Sequence, residues 1–90
     1  MFKENFPIAY DAPAELKKSP SLNNQRLAGK PSYSVYNGTL ADCIRILMAK
    51  PIKQISLYDI ATVPQPIFDG PFLSPADAAE ISMRRDFPKA

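Results

Sequence analysis

In residues 39–63 apolar side chains recur with a helical period, and on either side of that stretch the period is lost. Leu40, Cys43, Ile44, Leu47 and Met48 fall at i, i+3, i+4, i+7 and i+8, which lays one apolar stripe along a helix. Thr39 precedes the stripe as an N-cap, Asp42 stands at the capping-box spacing, and Pro51 stops the run, so a helix is predicted over 40–50. Ile46 lies nearly opposite the stripe, in the company of Asp42 and Ala49. It reads either as one exposed isoleucine or as a second contact, covered by the N-terminal segment or by another chain.

Residues 52–63 carry two patterns. As a strand they place Ile55 and Leu57 on one face with Tyr58 and Ile60 on the other; as a helix they offer a second cap-like spacing from Ser56 to Asp59. The reading adopted is a strand-like entry over 53–55 and a short helix over 57–62. Further on, Ser74 as N-cap, Pro75 at the first helical position and Asp77 in the first turn open a last helix, predicted over 75–86 and closed by Pro88. Its expected buried face is Ala76, Ala79, Met83 and Phe87, with Glu80 and Arg84 paired at i, i+4. Before the first helix, residues 33–36 form a short β-prone run, and Asn37-Gly38 after it reads as a sharp turn.

Residues 1–31 show neither period. Pro7, Pro13, Pro20 and Pro31 divide them, and at most residues 14–18 make a helical turn. They read as an extended arm. Its apolar residues, Phe6, Ile8, Tyr10 and Leu16 among them, fit docking on the chain's own domain or on a partner, or else sit by chance in an unordered tail. The loop over 64–73 is apolar as well, with Ile67, Phe68 and Phe72, and reads as a lid on the core or as a surface for a partner.

The predicted fold is therefore α+β and helix-dominated. It is a small single domain over 32–90 with two main capped helices, a short third helix and one or two brief strands, preceded by the proline-containing arm at 1–31. Ten prolines in 90 residues reduce the regular structure available, while 46% hydrophobic and 22% charged residues fit a globular chain rather than a disordered one. The arm holds Lys3, Lys17, Lys18, Arg26 and Lys30 against Glu4, Asp11 and Glu15, which accounts for the whole formal charge of +2 and leaves residues 32–90 neutral. The apolar runs are too short to span a bilayer, and residues 1–13 lack a leader pattern. With a single cysteine, this sets a cytoplasmic location as the expectation and argues against membrane insertion.

Candidate chemistry is sparse. The chain has no histidine, which excludes Ser-His and Cys-His nucleophilic catalysis and histidine-containing zinc sites. Cys43 sits on the core stripe, and Gly29, Gly38 and Gly70 are isolated, so no phosphate-cradling loop can be written. No catalytic residue, cofactor or metal is assigned, and an enzyme is not expected. What remains is surplus apolar surface, which points to a protein-interaction module or accessory subunit, with another protein or a second copy as partner. The candidate contact residues are Phe6, Tyr10, Ile46, Ile67, Phe68 and Phe72.

A second function class rests on residues 44–62, IRILMAKPIKQISLYDIAT, which have the cadence of a helix, a turn and the first helix of a helix-turn-helix and loosely resemble winged-helix regulators. The resemblance implies a small DNA-binding regulator. It fails at the recognition helix, which should follow within a few residues, whereas the next helix start is Ser74. A neutral folded part also disfavours nucleic acid as a partner.

Overall fold

The computed structural model describes residues 8–23, 25–63, 65 and 71–88. In chain order its elements are β1 (Pro13–Lys18), β2 (Ser21–Leu22), β3 (Gln25–Arg26), β4 (Tyr33–Thr39), α1 (Leu40–Met48), α2 (Ile52–Ile55), β5 (Tyr58–Thr62), β6 (Phe72–Leu73) and α3 (Pro75–Ser82). Four strands form one antiparallel sheet in the order β4-β1-β5-β6, and β2 with β3 makes a separate hairpin.

This corrects the helix-dominated prediction: strand accounts for 32% of the described residues and helix for 28%. It also corrects the arm. β1 comes from the proline-divided segment and lies inside the sheet, bonded to β4 on one side and β5 on the other, so the 31/32 boundary runs between paired strands. Its local signal is two inward positions, Ala14 and Leu16, between outward Glu15 and Lys17. Ala, Glu, Leu and Lys are all good helix formers, and here sheet pairing on both sides overrides their propensity.

The register explains the core. Leu16 stands between Tyr36 and Ile60, and Ile60 stands beside Leu73, so one row crosses all four strands on the inner face. The adjacent row, Asn37, Glu15, Ala61 and Phe72, faces away. The inner face is covered by α1 and α3, which bring Leu40, Cys43, Ile44, Leu47, Ala78 and Ile81 to full or nearly full burial. Each such leucine or isoleucine contributes on the order of 1.5–3 kcal/mol over its exposed state.

The helix over 40–50 is present as α1, two residues shorter at its C-terminus, and Thr39 caps it by accepting from the Asp42 amide at 3.2 Å. The next two elements are interchanged relative to the prediction. The helix is Ile52–Ile55 and the strand is Tyr58–Thr62, whose alternation Tyr58, Ile60, Thr62 inward and Asp59, Ala61 outward suits a strand with one buried face. The second helix of the helix-turn-helix cadence is thus an inner strand of the sheet.

Two further expectations change. β4 runs straight through Asn37-Gly38 without turning; the Tyr36 ring lies over Gly38, where a Cβ would come within 2.7 Å of it. α3 carries the complete capping box of Ser74 with Asp77 but ends at Ser82, so Arg84 pairs with Asp86 beyond the helix, at 3.0 Å. Its buried residues are Ala78 and Ile81 instead of the Ala76 stripe, and Met83 is 80% exposed.

Candidate functional site

Cys43, the sole cysteine, is fully buried on α1, and burial together with the charges of Asp42 and Glu15 pushes its thiol up to about 11. At neutral pH it is a small apolar core residue and not a nucleophile. Among the described residues no group of three or more His, Cys, Asp or Glu side chains is placed to hold a metal ion.

The structure separates the residues proposed from sequence as partner contacts. Phe6, Ile67 and Phe68 lie outside the described residues. Ile46 is partly buried and packs against the core, so its side of α1 is covered by the chain itself. Tyr10 also turns inward: its hydroxyl donates to Asp86 Oδ1 at 2.7 Å, and its ring meets Phe87 edge-on with centroids 5.5 Å apart. Phe72 alone among the described candidates is open, at 62% exposure, on the outward face beside Ala61.

Tyr10 belongs to a tie between the two ends of the domain. Arg45 on α1 bonds Asp42 at 2.7 Å, donates to the Pro88 carbonyl at 2.7 Å, and lies 5.5 Å over the Phe87 ring. Burial first, then the bond to the Asp86 carboxylate, push the Tyr10 phenol up to about 12. The hydrogen bonds from Arg84 and then Tyr10 hold the Asp86 carboxyl below the usual range. These groups satisfy one another, and the cluster closes the structure instead of presenting chemistry.

The surface that stays open is the outer edge of β4. This strand is seven residues long, is bonded among the described residues to β1 on one side only, and exposes Tyr33, Ser34, Val35 and Asn37. The opposite edge of the sheet is β6, which is two residues long. From Tyr33 to Thr39 the strand carries no charge and no proline, the residues that commonly blunt an edge; its single such device is the register shift opposite Leu16/Lys17. Sequence reasoning found the β-prone run at 33–36 but not its edge position, which depends on β1 pairing between β4 and β5.

No helix among the described residues is long and apolar enough to cross a membrane. No family model matches the chain, and no curated protein or solved structure matches it.

Proposed function

We propose that this chain is a non-enzymatic protein-interaction module, an accessory subunit that joins an assembly by strand pairing along the outer edge of β4. The observation that carries the reading is that edge: seven uncharged residues whose outward N–H and C=O groups have no strand beside them among the described residues. Main-chain pairing supplies affinity at such an edge, and the exposed Tyr33 and Val35 supply side-chain contact.

A second copy is the partner that suits the strand. Antiparallel pairing of two copies about Tyr36, the middle residue of β4, sets no charge against its like and extends one sheet through both molecules. A reducing, cytoplasmic setting goes with this reading, supported by a sole cysteine held in the core as a thiol.

Light scattering over a range of protein concentrations tests it, with Val35→Lys as the edge-blocking variant. The wild-type chain is expected to reach twice the monomer mass as concentration rises, and the variant to stay monomeric with the same far-UV circular dichroism. A wild-type chain that is monomeric at every concentration, or a dimer untouched by the substitution, overturns the reading.

A further inference from the structure

The sheet register gathers cations that the sequence keeps apart. Lys18 stands opposite both Tyr33 and Tyr58, so these three residues mark one end of the sheet. Lys50, just beyond α1, reaches the same end: its Nζ lies 5.4 Å from the centre of the Tyr58 ring, and Lys18 Nζ lies 5.9 Å from it. Lys53 follows on α2, and Lys30 lies on the segment that leads into Tyr33. Arg26 is fixed there by the Ser56 carbonyl at 2.9 Å and Asp59 at 3.2 Å.

Cations are therefore concentrated at one end of the sheet. The Tyr58 end holds Lys17, Lys18, Arg26, Lys30, Lys50 and Lys53, and the carboxylates near it are engaged, Glu15 by Lys17, Asp59 by Arg26 and Asp77 by the Ser74 cap. Lys18, Lys30, Lys50 and Lys53 have no carboxylate partner among the described residues. At the Thr62 end the carboxylates Asp42 and Asp86 are matched by Arg45 and Arg84, which pair with them. Two ammonium groups gathered at one ring without a carboxylate partner among the described residues offer an anion a site of opposite charge.

The same end also exposes aliphatic side chains. Ile52 is 89% exposed between Lys50 and Lys53, and Leu22, beside the positive-φ turn residue Asn23 of the β2–β3 hairpin, is 65% exposed. A nucleic-acid strand would engage the lysines but would offer little to Leu22 and Ile52, since its bases bind by stacking on aromatic rings. An anionic bilayer surface offers phosphate-level charge to the lysines and hydrocarbon to the aliphatic side chains at once.

We propose that the Tyr58 end docks this protein on an anionic membrane surface, with the lysines at headgroup level and Ile52 and Leu22 in the acyl boundary. Contact is peripheral, by a hairpin and a short helix, and does not use the outward groups of β4, so it stands apart from strand pairing.

Cosedimentation of the full chain with phosphatidylcholine vesicles, with and without phosphatidylserine, tests the proposal. Binding is expected only to the phosphatidylserine vesicles and should weaken as ionic strength rises from ~0.01 to ~0.15 M. Lys50→Gln with Lys53→Gln should lose about 25-fold in affinity, at roughly fivefold per basic group near the surface. Ile52→Ser should weaken binding while leaving its salt dependence intact. Circular dichroism checks the fold of each variant, and Lys30→Gln with Leu22→Ser, in a separate segment, repeats the test where a variant fails to fold. No binding to phosphatidylserine vesicles at low salt, equal binding to neutral vesicles, lysine variants that bind like wild type, or a preference for a single-stranded oligonucleotide over the vesicles would each overturn it.

Discussion

The Tyr10 carbonyl accepts a hydrogen bond from the Ala41 amide at 2.9 Å, and the Ala12 carbonyl accepts from Leu40 at the same distance. With the Thr39 side chain on the Asp42 amide, the first three donors of α1 are all satisfied, two of them by the chain segment that precedes β1. The N-terminal segment is thus part of the helix start, and Ile8 is buried beside it.

Removing these caps should separate local from tertiary contributions. Thr39→Ala is expected to cost ~1 kcal/mol, the usual value of an N-cap side chain. Deleting residues 1–12 should cost more, because it removes both carbonyl acceptors, the Ile8 burial and the Tyr10 tie together. Urea unfolding followed by circular dichroism measures both. A truncated chain with the midpoint of the full one would contradict this role.

Leu16 and Leu22 lie six positions apart in the segment that reads as an arm, yet they should respond oppositely to truncation. Leu16 is fully buried between Tyr36 and Ile60, so Leu16→Ala should cost ~2–5 kcal/mol. Leu22 is 65% exposed, so Leu22→Ala should stay within ~0.5 kcal/mol. Equal, small effects in urea unfolding would return β1 to the status of an arm.

How legible was this fold in the residues? α1 and α3 announce themselves because caps and helical periods are local: Thr39 and Ser74 mark their starts without help from the rest of the chain. β1 does not, because two inward residues make too short an alternation and helix-forming side chains surround them. Tyr58, Ile60 and Thr62 did carry a strand signal, β-prone types at alternate positions, but the cap-like Ser56-to-Asp59 spacing competed with it. The meeting of Lys18 and Lys50 over Tyr58 has no local signal at all, since it depends on the register of β1 against β5. The same dependence made the folded part look neutral, although its Tyr58 end is basic.

Alkaline pH should loosen the tie between Tyr10 and Asp86. The neutral phenol is favoured in the folded chain, where its pKa is raised from 10.0 to about 12. Its contribution to stability is therefore complete below pH 10.0 and is lost as pH rises through that window. Asp86 acts at the other extreme: its lowered carboxyl contributes above its ordinary value of 3.8 and loses that contribution as pH falls through the folded value. Tyr10→Phe removes the phenol's titration, so the stability difference between wild type and variant should shrink as pH rises above 10.0. Thermal unfolding of both chains over an alkaline pH series checks this; a difference independent of pH would show that the hydroxyl does not make the bond.

Residue-resolved hydrogen exchange as a function of protein concentration tests the central claim, an inner β1 beside an open β4 edge, most directly. The account predicts that β1 amides are slow at every concentration, because the strand is paired on both sides. It predicts that alternate amides of β4 are fast in the dilute chain and become slow as copies pair along the edge. Fast exchange throughout β1, or β4 amides that stay open at every concentration, would contradict it.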